Sequence, residues 1–339
     1  MSKLLVTGGT IFVSKYVAEY FVKAGNEVYV FNRGNHRQVE GVTLIQADRN
    51  MLKDQLFPKL SRKISSEISG EISREISGEI SSGLPEEMSG KMSDMNFDAI
   101  IDVNAYTDSD VKNLLDSGIT FKDYILISSS AVYPEYGIQP FVEEGELARN
   151  RFWGDYGTDK MNAEKVLLEK VPDAYILRPP YLYGKYNNIY REAFVFDCAM
   201  QDRKFYLPKK GEMKLQFFHV YDLCRFIEII LKEKPKHHIF NVGNEKTVSI
   251  KEWVELCYKA VGKSVEFVCV ESDVPQRNYF SFADYEYVLN VEKQKELMPD
   301  TKDFMQGLCE AYEWYKENRD EVRRKAYIEY IDENMQMVY

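Results

Sequence analysis

The chain has 339 residues, of which 45% are hydrophobic, so it is long enough to bury one large α/β core or two coupled domains. Its 54 acidic and 44 basic residues give a net charge of −10 at pH 7. Because an acidic surface repels a phosphate backbone, nucleic acid is not expected as a partner. The five cysteines lack a CxxC spacing and the four histidines are scattered, which favours reduced thiols and predicts no metal site.

Membrane and export signals are absent from the sequence pattern. No apolar run approaches the roughly 18 residues that a membrane helix needs. The amino-terminal residues enter Leu4-Leu5-Val6 directly, without the longer apolar stretch of a signal peptide. These features predict a soluble, cytoplasmic protein.

The first part of the chain alternates short apolar runs with helical patterns. An apolar run over 3–6 ends at the turn Thr7-Gly8-Gly9-Thr10, and helical spacing from Tyr16 to Ala24 follows. Further strands are predicted at 27–31, 43–46, 99–103 and 124–127, and helices at 108–115 and 156–169. Strands that alternate with helices predict a parallel sheet covered on both faces, of the α/β class.

Residues 62–94 interrupt this alternation with a repeated Glu-Ile-Ser unit. The apolar positions recur every four residues, so on a helix the apolar stripe would drift by about 40° per step. Gly70, Gly78 and the many serines weaken a helix further. The composition predicts a low-complexity insertion in a surface loop, in preference to a partner-binding helix.

The remaining pattern is less regular. It predicts a strand running into a helix over 216–231, strands at 239–242 and 266–270, and helices at 249–261 and 304–317. Ser249 and Glu252 match a capping box at the start of one of these helices. The charged segment from residue 319 predicts a solvated terminal helix that is partly docked.

Three motifs point to chemistry. The turn at Gly8 follows a strand and opens a helix, where small residues and free N–H groups suit a pyrophosphate. Tyr156 and Lys160 share a helix face, so the ammonium is expected to lower the pKa of the phenol and make it a usable general acid or base. Ser129 and Ser130 follow a strand, where a hydroxyl could orient a substrate oxygen. Taken alone, each motif is also compatible with an ordinary turn, surface pair or loop.

In this order and spacing, the three motifs resemble the extended short-chain dehydrogenase/reductases, the NAD-dependent epimerase/dehydratase family. The resemblance covers about residues 3–317 and implies a Rossmann-like, doubly wound sheet with a smaller C-terminal α/β substrate domain. It assigns 1–180 plus 216–246 to the dinucleotide-binding domain and 181–215 plus 247–318 to the substrate domain, with a charged tail at 319–339. It also implies NAD(P)(H), a sugar-like small-molecule substrate and a homodimer.

The resemblance assigns roles to individual residues. Ser129, Tyr156 and Lys160 are implied as catalytic residues. The implied cofactor-binding residues are Gly8, Gly9, Thr10, Ile11, Phe12, Val13, Asn32, Arg33, Asp48, Asn104, Lys160 and Pro179. The implied substrate residues are Ser130, Tyr181, Lys214 and Arg277, and no metal is expected.

The chain departs from the family's pattern at several positions. Ile11 and Ser14 replace the second and third glycines of GxxGxxG, which is similar to a GGTxFxG subgroup that includes plastid RNA-binding relatives. NAD-preferring members usually carry an acidic residue at the end of the second strand, where this chain has Asn32 and Arg33. An arginine near the ribose suits a 2′-phosphate, which favours NADP(H). Ser130 and Ala131 replace the Asp-Glu pair of sugar dehydratases, which argues against a dehydratase.

The sequence therefore predicts reversible hydride transfer on a sugar or nucleotide-sugar hydroxyl, with a nucleotide-sugar epimerase preferred. An NADP-dependent reductase of a small carbonyl compound uses the same residues and stays open. An RNA-binding protein or a non-catalytic cofactor-binding regulator on the same fold are the alternatives from other classes.

Overall fold

The computed structural model describes residues 1–52, 96–271 and 273–335. The repeat at 62–94, predicted to be a surface-loop insertion, lies outside these ranges. Within them, the chain forms a Rossmann-like α/β fold around a seven-stranded parallel sheet, which confirms the predicted fold class.

The large sheet is built from strands of three to eight residues. They are β1 Lys3–Thr7, β2 Glu27–Asn32, β3 Thr43–Gln46, β4 Asn96–Asp102, β5 Thr120–Ile127, β6 Tyr175–Arg178 and β11 Ile239–Asn241. Shorter pairings join β7 Tyr181–Tyr183 to β10 Phe217–His219, β8 Phe205–Pro208 to β13 Phe267–Val270, and β9 Lys214–Leu215 to β12 Val248–Ser249.

The helices follow the predicted alternation closely. They are α1 Phe12–Lys23, α2 Asp108–Leu115, α3 Asp155–Lys170, α4 Glu192–Met200, α5 Val220–Glu233, α6 Ile250–Val261, α7 Glu292–Leu297, α8 Phe304–Glu317 and α9 Tyr327–Asn334. The predicted capping box of Ser249 and Glu252 is present at the start of α6. Across the described ranges, no helix combines the length and apolar character needed to cross a bilayer.

The strand order β11-β6-β5-β4-β1-β2-β3 places the change of winding direction between β1 and β4. From β1 the chain winds outward through β2 to β3, and from β4 it winds the other way through β5 and β6. A crevice opens at such a switch point, outside the carboxyl ends of the strands. The topology therefore directs the loops after β1 and β4 to one site.

Alternating side chains of the sheet fill two cores. Leu4 and Val6 face one core with apolar residues of α1 and α5, while Leu5 faces the other core with residues of α2 and α3. Because α3 carries Tyr156 and Lys160, its packing in the second core fixes the position of both side chains.

A third core joins the remaining helices and short strands and reaches the end of the described chain. Tyr327, Ile328 and Ile331 of α9 are 4%, 7% and 3% exposed and belong to this core. The tail is thus docked more firmly than the predicted solvated helix, because its apolar side chains pack on α4 and its neighbours.

Candidate active site

A cavity of about 1290 Å³ lies at the predicted crevice. One side of the cavity is lined by the turn after β1, the ends of β2 and β3, the loop after β4, the segment after β5, and α3. On its opposite side it is lined by the segments 179–182, 188–191, 277–287 and 323–327. The cavity therefore spans both the large sheet and the C-terminal part of the chain.

The turn after β1 has the backbone geometry of an anion site. Gly8 has φ +91°, and a Cβ there would lie 2.8 Å from the Ser14 Oγ, so the turn requires glycine at this position. Ile11 precedes α1 without a side-chain hydrogen bond to cap the helix. The first N–H groups of α1 are therefore left without a side-chain acceptor at the cavity wall.

Gly9 serves a different purpose from the rest of the turn. It is not among the residues that line the cavity, and a Cβ at this position would lie 2.5 Å from the Val30 side chain. Its φ of +83° and this close approach indicate that it allows β1 and β2 to pack. The contact of Gly9 with a cofactor stays a prediction.

The ends of β2 and β3 bring polar side chains to the cavity. The Asn32 Nδ2 donates to the Gly8 carbonyl at 2.6 Å, and its Oδ1 accepts from the Gly34 amide at 2.8 Å, so Asn32 holds the glycine turn in place. Arg33 lines the cavity and forms no ion pair with another residue in the described ranges. The Asp48 carboxylate accepts from the Asn50 amide at 2.9 Å.

A buried ion pair supports the loop after β4. The guanidinium of Arg49 pairs with the fully buried Asp102 and donates at 2.9 Å to the Asn104 Oδ1. The Asp102 Oδ1 also accepts from the Thr7 hydroxyl at 2.7 Å and from the Ala105 amide at 3.1 Å. Burial alone would raise the pKa of Asp102, but Arg49 holds it below its usual value. The loop is thus tied to both β1 and β3.

The helix α3 presents Tyr156, Lys160 and Glu164 at successive i, i+4 positions on one face. Tyr156 is 42% exposed toward the cavity, whereas Lys160 and Glu164 are each 2% exposed. Glu164 forms a buried ion pair with Arg178 of β6 at 2.6 Å and accepts from the Ser128 hydroxyl. This pair anchors the helix to the ends of β5 and β6.

Lys160 is held by backbone oxygens. Its ammonium donates to the carbonyls of Ala105 at 2.7 Å and Ile127 at 2.9 Å, and it lies 5.0 Å from the centre of the Tyr106 ring. Burial lowers the pKa of Lys160 to about 8. The ammonium therefore lies at the floor of the cavity, between the loops after β4 and β5.

The expected lowering of the Tyr156 pKa by Lys160 is wrong for this structure. Desolvation raises the pKa of Tyr156, and the interaction that opposes this rise comes first from the Ser129 hydroxyl. Lys160 has no such effect because its ammonium is directed to the two backbone carbonyls. Tyr156 and Ser129 are nevertheless adjacent, as predicted from their order in the chain.

Gly157 explains how α3 comes so close to the segment after β5. A Cβ on Gly157 would lie 2.2 Å from the Ala131 carbonyl oxygen, within the 3₁₀ turn Ser130–Val132. No side chain fits in this space. The glycine inside the Tyr156-to-Lys160 motif thus allows Ser129 and Tyr156 to meet.

The predicted substrate residues are only partly brought together. Ser130, Tyr181 and Arg277 line the cavity, and the Ser130 hydroxyl donates to the Tyr287 hydroxyl at 3.2 Å. Lys214 does not line it, because β9 pairs with β12 outside the cavity and leaves Lys214 exposed there. Thr10, Ile11, Phe12, Val13, Asn104 and Pro179 all line the cavity.

Several cavity residues were not predicted from the sequence. Arg191 follows the segment 181–184, and Arg323 and Lys325 come from the tail. The run Arg323-Arg324-Lys325 is a basic patch in an acidic chain, and this was the available signal. No sequence pattern indicated the ion pair of Arg49 and Asp102, because only the folded sheet brings these two residues together.

Comparison with known proteins agrees with this geometry. Residues 98–243 match the model of the NAD dependent epimerase/dehydratase family, a range that includes Ser129, Tyr156 and Lys160. The central part of the chain is thus similar to this family. The glycine turn at Gly8 lies before the matched range, and membership of the GGTxFxG subgroup stays a prediction.

The proteins that this chain is similar to carry names that indicate different functions. The chain is 28% identical over 321 residues to the chloroplast stem-loop binding protein of 41 kDa b of Arabidopsis thaliana, covering 91% of this chain and 78% of that protein. It is 27% identical over 228 residues to the putative GDP-L-fucose synthase 2 of Arabidopsis thaliana, covering 61% and 66%. The fold matches dTDP-glucose 4,6-dehydratase of Bacillus anthracis in complex with NAD at a TM-score of 0.65 and 18% identity, covering 95% and 99%.

Proposed function

We propose that the protein is an NAD(P)-dependent oxidoreductase or epimerase that acts by reversible hydride transfer on a sugar or nucleotide-sugar hydroxyl. The observation that carries this proposal is the cavity, in which Ser129, Tyr156 and Lys160 lie across from the glycine turn at Gly8. A family relative named as a GDP-L-fucose synthase supports the substrate class.

The cavity suits a dinucleotide. The glycine turn and the N-terminus of α1 would hold the pyrophosphate. Asp48 would flank the adenine, and Asn104 would flank the middle of the dinucleotide. Arg33 has no carboxylate partner in the described ranges and would suit a 2′-phosphate, so NADP(H) is our preferred form. When bound, the nicotinamide supplies the hydride acceptor and donor.

In the proposed reaction, side chains of the protein itself transfer the proton. Tyr156, whose raised pKa keeps the phenol protonated, donates its proton to the substrate oxygen when a carbonyl is reduced and takes it back in the reverse direction, and the Ser129 hydroxyl orients the same oxygen. Lys160, at the floor of the cavity, would bind the nicotinamide ribose and provide a positive charge. Ser130 and Ala131 provide no carboxylate for elimination of water, so a dehydratase is not proposed.

The first experiment measures NAD and NADP binding by fluorescence and thermal shift. At a ligand concentration 100 times Kd, we expect a stabilisation of about 2.7 kcal/mol. Binding of neither cofactor contradicts the proposal. Tighter binding of NAD than NADP would contradict only the preference assigned to Arg33.

The second experiment tests Tyr156 with a panel of UDP-, GDP- and dTDP-sugars. Replacing Tyr156 with Phe removes the hydroxyl that transfers the proton but keeps the ring, so turnover should fall by about 10²- to 10⁴-fold with little change in cofactor affinity. Absorbance of the reduced nicotinamide and product analysis follow the reaction. Equal turnover by Tyr156→Phe and the original protein would contradict the assigned role.

RNA binding is the second candidate function. A relative whose match covers 91% of this chain is named as a stem-loop binding protein. The net charge of −10 opposes this function, although the cations at 191, 277, 323 and 325 are local. Retention of a stem-loop RNA that weakens steeply with salt would support it.

A further inference from the structure

The loop after β4 places an aromatic ring beside two ionisable groups of the candidate site. Tyr106 lines the cavity and is 53% exposed. The centre of its ring lies 6.3 Å from the centre of the Tyr156 ring and 5.0 Å from the Lys160 Nζ. The ring is therefore close enough to act on the charge of Lys160.

The backbone on both sides of Tyr106 is fixed by hydrogen bonds. The Tyr106 and Thr107 amides both donate to the Asp110 carboxylate at 2.9 Å, and Thr107 and Asp110 form the capping box of α2. On the other side, the Ala105 carbonyl accepts from the Lys160 ammonium at 2.7 Å. Because the backbone is held at both neighbours, the position of the ring relative to Lys160 depends on the side-chain torsions of Tyr106 alone.

The carboxylates that face Lys160 are already paired with arginines. Asp102 and Asp110 both pair with Arg49, the latter at 3.7 Å, and Glu164 pairs with an arginine of β6 at 2.6 Å. These three carboxylates and Arg49 are the charges that act on Lys160. Since the arginines offset much of the negative charge, stabilisation of the Lys160 ammonium depends on uncharged groups as well.

Two kinds of uncharged group surround the Lys160 ammonium. It has three N–H donors, and two of them are used by the carbonyls of Ala105 and Ile127. No hydroxyl or carboxylate of the described residues accepts the third. The face of an aromatic ring carries partial negative charge and attracts a cation within about 6 Å of its centre, as the Tyr106 ring does here. Because burial lowers the pKa of Lys160 to about 8, this attraction acts on a charge that is easily lost.

We propose that Tyr106 is a positioning residue for Lys160, whose ring face keeps the ammonium charged and in place at the floor of the cavity. This inference rests on the proposed function, in which Lys160 binds the nicotinamide ribose as a cation. The π face of Tyr106 performs this role, and its hydroxyl is not required. Tyr106→Phe should therefore behave as the original protein, whereas Tyr106→Leu should not.

The first measurement follows the charge of Lys160 without cofactor or substrate. Urea unfolding between about pH 6 and 10 compares the original protein, Tyr106→Leu and Tyr106→Phe, each with and without Lys160→Met. Rising pH increases the free energy of unfolding once folded Lys160 has lost its proton, because the unfolded chain still holds that proton. Leucine keeps the ammonium covered but has no π face, so in Tyr106→Leu this increase should begin about one pH unit lower. In Tyr106→Phe it should begin where it does in the original protein.

The second measurement titrates NAD and NADP into the same proteins at several pH values. If the charged fraction of Lys160 falls as the first measurement predicts, cofactor affinity of Tyr106→Leu should drop about fivefold near pH 8 and little near pH 6. Tyr136→Leu is the matched control, because it removes a tyrosine ring that is 66% exposed and lies outside the cavity. Both measurements should give the original values for this control.

The outcomes separate the inference from the proposed function. An onset in Tyr106→Leu that is unchanged or moves to higher pH overturns the inference, and so does an equal shift in Tyr106→Phe. Failure of every protein, including the original, to bind NAD or NADP contradicts the proposed function alone. The unfolding data then still decide whether Tyr106 stabilises the charge of Lys160.

Discussion

Lys160 shows how burial changes the chemistry of one side chain. Its ammonium is 2% exposed and is held by two backbone carbonyls, and burial lowers its pKa from 10.5 to about 8. The group still carries a proton through much of the neutral range. It can therefore provide the positive charge that the proposed cofactor site requires.

This lowered pKa predicts a pH dependence of stability. Between about pH 8 and 10.5 the unfolded chain holds more protons on Lys160 than the folded chain does, so rising pH stabilises the folded state in this window. Relative to Lys160→Met, the free energy of unfolding should increase by about 2 kcal/mol between pH 7.5 and 9.5. Urea denaturation of both proteins at the two pH values measures this difference, and parallel pH curves would show that Lys160 does not titrate there.

Gly157 acts at the level of the helix that carries it. Its missing side chain lets α3 approach the 3₁₀ turn Ser130–Val132 and so brings Tyr156 beside Ser129. The helix is also tied to β6 by the buried pair of Glu164 and Arg178. The alignment of the two catalytic candidates is thus a property of element packing.

We expect Gly157→Ala to disturb this alignment, because the added Cβ would lie 2.2 Å from a backbone oxygen that cannot move aside alone. The overpacking should cost about 1–3 kcal/mol of unfolding free energy and reduce turnover more than cofactor affinity. Thermal unfolding, kinetics and an NAD titration measure the three effects. Thr158→Ala, at the next position of α3, is the control. Unchanged turnover in Gly157→Ala would contradict this account.

The turn before α1 contains a branched side chain at the edge of the proposed cofactor site. Ile11 lines the cavity and is 37% exposed, at the position where the family's pattern has a second glycine. Its φ of −132° does not require glycine. Ile11→Gly should therefore tighten NAD binding by opening the approach to the N–H groups of α1, at a cost of about 0.5–1 kcal/mol in stability.

Fluorescence titration with NAD and NADP checks this prediction. Ile11→Ala serves as the intermediate case, since it shortens the side chain without adding backbone freedom, and its affinity should fall between the two. If Kd stays the same in both variants, Ile11 does not obstruct the dinucleotide.

At the scale of the whole molecule, strands from before and after the predicted insertion pair in the same sheet. The strand β4 begins at Asn96 and is paired on both sides, with β1 and β5. Replacing residues 62–94 with a short Gly-Ser linker should therefore change the free energy of unfolding by less than about 1 kcal/mol and leave NAD affinity unchanged. Thermal unfolding and titration test this expectation. Loss of folding or of binding would show that the repeat belongs to the functional structure.

The sequence by itself determined the local structure and most of the candidate site. Apolar periodicity predicted β3, α2 and α8 at their observed bounds, and the strand–turn–helix order placed Gly8, Ser129, Tyr156 and Lys160 at one edge of the sheet. These features depend on neighbours along the chain. Short-range periodicity and turn chemistry are therefore sufficient to predict these features.

Only the tertiary structure decided how distant segments combine. It paired Arg49 with Asp102, directed Lys160 to two carbonyls instead of Tyr156, and placed Lys214 outside the cavity. It also brought Lys325 beside Arg191, although the two are far apart in the chain. Charge and burial act through space, so the pKa of a buried group and the cations that meet in a cavity depend on packing that no local pattern records.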